Sequence, residues 1–89
     1  MQEQLDAVKL FHTIYQLGFS ENPKANLSSQ KISLRYELMK EENEEYLIAA
    51  KDGNLVEIAD ALGDMLYILC GTIIEHGLQD KIEAVFSEI

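Results

Sequence analysis

Tryptophan is absent from this chain, and proline and cysteine occur once each. A lone cysteine, Cys70, excludes an intrachain disulfide framework and a thiolate metal site. The near absence of proline, with an apolar share of 47%, fits a helical globular chain rather than a disordered one. Basic residues are scarce: 7 Lys and Arg stand against 16 Asp and Glu, a net charge of −9. Such a surface repels a phosphodiester backbone, so a nucleic-acid polymer is excluded as a partner. An anionic ligand would need metal ions as bridges. Long apolar runs are also lacking. The stretch from Met65 to Ile74 is about ten residues, broken by Gly71 and Thr72, too short for a membrane span. The N-terminus is polar and acidic, so no signal peptide is expected. The expectation is a soluble, cytoplasmic protein without a membrane partner.

At 89 residues the chain is read as a single domain with a modest core, which oligomerisation would help. Helical periodicity predicts four segments. The first covers roughly residues 4–17, with Leu5, Val8, Phe11, His12 and Tyr15 on its apolar side and Gly18 at its end. Residues 20–29, with Asn22, Pro23, Asn26 and three serines, read as a loop. Ser28, Ser29 or Ser33 caps a second helix that runs to about Lys51, where Asp52-Gly53 stops it. Asn54 starts the third helix, with Glu57 in a capping-box position, and Gly77 ends it after about His76. A short fourth helix spans roughly 79–87. No strand alternation or internal repeat is present. The fold class is therefore all-α, an antiparallel bundle of about four helices. The third helix is apolar on more than one side, through Leu55, Ile58, Leu62, Met65, Leu66 and Leu69. That width predicts an interface, and hence a homodimer or homotetramer.

The second helix carries the chemistry. Leu34, Leu38, Glu42, Glu45 and Ala49 step by four, four, three and four residues, one face of a helix. Glu42 and Glu45 stand where core leucines belong, and an isolated buried carboxylate is costly unless its charge is compensated. Glu37 and Glu44 read as ordinary solvated surface. On the third helix Glu57, Asp60 and Asp64 share a side. Glu57 has a capping role; Asp60 and Asp64 sit mid-helix, where aspartate is a poor helix former. The tight turn at Asp52-Gly53 makes the two helices antiparallel, which brings Glu45 level with Asp60 and Glu42 level with Asp64. Four oxygen ligands without His or Cys suit Mg²⁺, or Mn²⁺. Mg²⁺ fills its remaining positions with water and substrate phosphates, so the site predicts a phosphorylated ligand.

Other titratable residues read more plainly. His12 and His76 are packing or helix-end residues, and Cys70 is a small buried hydrophobe. Lys31 and Arg35 precede the acidic cluster and read as surface charge. Tyr46 and Tyr67 suit packing at an interface.

Glu41-Glu42-x-x-Glu45, followed by Glu-Ile-Ala-Asp-Ala-Leu-Gly-Asp-Met-Leu-Tyr from Glu57 to Tyr67, resembles the all-α nucleoside triphosphate pyrophosphohydrolases. These are the MazG-like, dimeric dUTPase-like and phosphoribosyl-ATP pyrophosphohydrolase-like proteins. The phrase Tyr67-Ile68-Leu69-Cys70-Gly71-Thr72, with His76-Gly77-Leu78, is similar to the last branch. The resemblance covers about Leu34 to Phe86. It implies that Glu42 and Glu45 are the first metal-binding pair and Asp64 the aspartate of the second. The family's usual glutamate three residues before that aspartate is replaced here by Ala61, and Asp60 beside it is the substitute. Glu41 is implied as a catalytic helper that holds a water or a further ion. The resemblance implies an oligomeric enzyme that releases pyrophosphate from a nucleotide with Mg²⁺, leaving a monophosphate. Two rival readings remain: a nucleotide- or metal-binding helical module with weak turnover, suggested by Ala61 and the stop at Ile89, and a purely structural oligomerisation protein.

Overall fold

The computed structural model describes residues 1–89, and every element is helical: α1 (Gln2–Ile14), α2 (Ser29–Lys51), α3 (Leu55–Glu75) and α4 (Ile82–Ser87). The chain divides into two compact units. One comprises Met1–Leu27 with Cys70–Ile89, the other Ser28–Leu69. No helix is long and apolar enough to cross a membrane.

The first unit contains a closed apolar core. Leu5 and Val8 of α1 pack with Cys70, Ile73 and Ile74 of α3, and Phe19 and Ile82 lie against them. Cys70 and Ile74 have no exposed surface. Burial pushes the Cys70 thiol above its usual pKa, partly offset by the N-terminal charge. Its Sγ lies 3.9 Å from Met1 Sδ, so it behaves as a small hydrophobe, as expected. His12 is buried too, with Nδ1 2.9 Å from the Gly18 carbonyl oxygen. The segment after α1 then runs along the C-terminal end of α3. The Ser20 amide and hydroxyl donate to the carbonyls of Ile74 and Glu75, and Gln79 Nε2 donates to the Ser20 carbonyl. The Lys24 amide donates to the His76 carbonyl, while His76 Nδ1 lies 2.8 Å from the Lys24 carbonyl. These bonds serve the orphan carbonyls that any helix end leaves behind. Gly77 sits at φ +67°, and a Cβ there would collide with the Asn22 carbonyl. Glycine is required on both counts.

Two expectations fail in this unit. Helix α1 stops at Ile14, short of Leu17, because Gln16 takes a left-handed φ of 56° and the chain turns before Gly18. Helix α4 begins at Ile82 rather than near Gln79, because Gln79 is tied to the Ser20 carbonyl and residues 79–81 form a turn.

The second unit is the α2–α3 hairpin, and its punctuation was readable. Of the three candidate serines, Ser28 is the cap: its hydroxyl accepts from the Lys31 amide at 3.1 Å. Asp52 closes α2 after Lys51, and Gly53 carries the left-handed φ of +65°. Asn54 Oδ1 accepts from the Glu57 amide at 3.2 Å at the start of α3. Between the helices only small or aliphatic residues close fully: Ala49 on α2, Ala61 and Ile68 on α3. Leu38 is partly buried, but Leu34, expected on the same core stripe, is half exposed at 51%. It lies near the open N-terminal end of α2, where Arg35 rather than Leu34 reaches across the seam. An Arg35 guanidinium N–H donates to the Ile68 carbonyl at 3.1 Å.

Candidate metal centre

The hairpin places Glu42 and Glu45 of α2 opposite Asp64 of α3. One carboxylate oxygen from each lies within 4.8 Å of the others. The reason is local. Glu42 and Glu45 are three residues apart and share a helical face, and the short turn fixes the pairing depth of the two helices. Arg35 and Ile68 form the next layer of the same seam, about two turns before Glu42 and one turn after Asp64.

Three converging negative charges are electrostatically unfavourable by themselves. Glu42 Oε2 is enclosed and has no hydrogen-bond partner. The Glu42 carboxyl is pushed up from 4.5 to about 7, first by burial, then by the hydrogen bond and charge of Glu45, and then by Asp64. Near neutral pH this group holds a proton about half the time, which partly relieves the repulsion. A divalent cation would relieve it more fully and would give Oε2 its missing partner. The residues therefore fit a hard cation with an all-oxygen donor set.

The structure does not bring Asp60 into this group. It lines an adjoining cavity of about 380 Å³ between the triad and the α2–α3 turn, with Glu45 and Asp64 at one end and Asp52 and Asn54 at the other. Asp60 is one residue out of register: 61 is the position that faces α2, and there the side chain is Ala61, buried at 3% exposure in the cavity wall. Glu41 is exposed and outside the triad, one helical turn from Glu45. Sequence reasoning missed Ile48, Asp52 and Asn54 as cavity-lining residues and Arg35 as a bridge to α3. Cavity walls arise from the pairing of two helices, and no spacing within one helix announces them.

Residues 8–89 match the phosphoribosyl-ATP pyrophosphohydrolase family, so the match takes in nearly the whole chain. The chain belongs to that family, within the all-α nucleoside triphosphate pyrophosphohydrolases. It is also similar to the uncharacterized protein L479 of Acanthamoeba polyphaga mimivirus, 45% identical over 61 residues. That stretch is 67% of this chain and 22% of the viral protein, so the chain spans about a fifth of its relative's length. No solved structure matches.

Proposed function

We propose that this protein is a Mg²⁺-dependent nucleoside triphosphate pyrophosphohydrolase that converts a nucleotide and water into a monophosphate and pyrophosphate. The observation that carries the reading is the Glu42, Glu45 and Asp64 triad with its enclosed, unpartnered Glu42 oxygen, in a chain of a pyrophosphohydrolase family. The three carboxylates would hold the cation. When bound, a divalent cation supplies charge neutralisation to the phosphate chain and acidifies water nearby. Glu41, one helical turn from Glu45, would orient the attacking water and take its proton. No Lys or Arg lines the cavity, so this face offers a phosphate no side-chain cation. Residues 8–89 span both compact units, which supports treating the chain as one functional domain.

The exposed leucines of α3 support a homo-oligomer, a dimer or tetramer. Leu55, Leu62, Leu66 and Leu69 step by seven, four and three residues on one stripe, each at least 40% exposed. At 100° per residue the stripe lies roughly 120° around α3 from Ala61 and Ile68, clear of the α2 contact. A continuous exposed stripe of leucines marks an interaction surface.

The test is pyrophosphate release from a panel of NTPs and dNTPs with and without Mg²⁺, using Glu42→Gln as control. Release by the native protein that needs Mg²⁺ and is lost in the variant is expected. No release from any nucleotide, or equal release by the variant, overturns the reading. Ala61 in the cavity wall favours one rival, a binding module with little turnover. Mg²⁺-dependent nucleotide binding in calorimetry without pyrophosphate would establish that rival instead.

A further inference from the structure

We infer that Arg35 is a positioning residue: its bond across the helix seam holds the metal-free carboxylate triad in place, and Mg²⁺ affinity depends on that bond. This rests on the proposed metal chemistry and adds the residue that keeps the site assembled before the cation arrives.

The triad sets the hairpin a mechanical problem. Glu42 and Glu45 stand on α2 and Asp64 on α3, so their like charges push the two helices apart. The helices nonetheless stay close enough to enclose Glu42 Oε2. On the turn side of the triad, the short connection and the buried small residues Ala49 and Ala61 hold the spacing. On the other side α2 runs back to Ser29, far from the turn, and Leu34 is half exposed and does not seal the seam. There an Arg35 guanidinium N–H donates to the Ile68 carbonyl at 3.1 Å.

The positions suit this task. Arg35 precedes Glu42 by seven residues, two turns less about 20°. Ile68 follows Asp64 by four, one turn plus about 40°. Both ends of the bond therefore lie on the faces that carry the triad. Ile68 is in the interior of α3, so its carbonyl serves the helix with one lone pair and Arg35 with the other. The guanidinium does not neutralise the triad. The charges acting on Glu42 are those of Glu45 and Asp64, both negative. Arg35 acts on Tyr67 instead, where burial raises the hydroxyl pKa and the guanidinium charge offsets the rise. What Arg35 contributes is register. A slip of one residue along a helix moves a side chain by about 1.5 Å and turns it by about 100°. Such a slip breaks a cluster whose oxygens lie within 4.8 Å of one another. A site assembled only part of the time binds its cation more weakly by that fraction.

The experiment is calorimetric titration of Mg²⁺ alone into the native protein, Arg35→Met and Arg35→Lys, followed by kcat and KM for a nucleotide at saturating Mg²⁺. Arg35→Met keeps the apolar stem and removes every donor. Its Kd for Mg²⁺ should rise about tenfold, the scale of one part-buried charge-assisted hydrogen bond. Arg35→Lys keeps a charged donor and should stay within about threefold of native. Saturating Mg²⁺ should reassemble the site, so Arg35→Met should then match native kcat and KM to within about twofold. If circular dichroism shows Arg35→Met unfolded, Arg35→Gln, with a shorter neutral donor, takes its place and should raise Kd at least about threefold. Native Mg²⁺ affinity in the folded variant overturns this inference, because a bond that only stabilises the fold lowers Tm and leaves Kd unchanged. A KM raised about tenfold at saturating Mg²⁺ also overturns it, by making Arg35 a substrate contact. Native protein that binds no Mg²⁺ overturns this inference and the metal-dependent reading together. Mg²⁺ binding that follows the expected order, without hydrolysis of any nucleotide, overturns the pyrophosphohydrolase reading and supports the role of Arg35.

Discussion

The two compact units solve opposite problems. Met1–Leu27 with Cys70–Ile89 closes a small aliphatic core and satisfies the end of α3 with hydrogen bonds from a distant loop. The α2–α3 hairpin seals little beyond Ala49, Ala61 and Ile68, leaves its large leucines exposed, and places carboxylates on the seam between its helices. In the first unit polar atoms are used to close the fold. An enclosed oxygen is left without a partner in each, Gln79 Oε1 in the first and Glu42 Oε2 in the second, but only the second sits among other carboxylates. Glu42, partly buried, faces the exposed Glu45 and Asp64, and these like charges repel until a cation joins them. The difference locates stability in one unit and the candidate chemistry in the other.

That contrast can be broken most forcefully in the first unit. Ile74→Ala removes a side chain with no exposed surface and should destabilise the protein by about 3 kcal/mol in urea denaturation. A loss below about 1 kcal/mol would mean the core closes less tightly than its geometry shows. Next comes Gly77→Ala, which combines a left-handed φ with a collision at the Asn22 carbonyl. Roughly 2 kcal/mol of destabilisation is expected, with early loss of amide protection at Ser20 and Lys24 by hydrogen exchange.

The hairpin should answer with the opposite sign. In metal-free protein the Glu42 carboxyl titrates near 7, above its ordinary 4.5, so the folded state binds that proton more tightly than the unfolded state. The resulting stability is fully present below pH 4.5 and is lost as pH rises through 7. Glu42→Gln should therefore stabilise metal-free protein at pH 8 by roughly 1 kcal/mol after solvent screening, and flatten its stability profile between pH 5 and 8. Thermal melts with and without Mg²⁺ check this. Native protein should gain Tm on adding Mg²⁺ and the variant should not. A variant less stable than native without metal at pH 8 would refute the account of the seam. The smallest effect is Ser28→Ala, which removes the α2 cap and should cost about 1 kcal/mol or less with Mg²⁺ binding intact.

Much of the hairpin was legible because its determinants are local. Gly53, Asn54 and the spacing of Glu42 and Glu45 act within a few residues, and a short turn converts spacing into depth. Asp64 came within reach of the pair for that reason. Asp60 was placed in the same group by counting from the turn, but a one-residue difference rotates a helical side chain by 100°. The inward position belongs to Ala61. Leu34 was misplaced for a similar reason, since the stripe continues past the point where α2 has a partner. The early end of α1 and the late start of α4 depend on bonds to residues far away in sequence, and periodicity carries no record of those.

The sequence by itself determined that the chain is helical, where α2 stops and α3 starts, and that acidic residues interrupt an apolar face. Helical period, caps and glycine conformations depend on near neighbours. Only the tertiary structure decided which carboxylates converge, that Ala61 rather than Asp60 closes the seam, that Arg35 reaches the Ile68 carbonyl, and that a cavity opens beside the triad. Each of these depends on the rotation and register of one helix against another, which packing sets and local propensity does not.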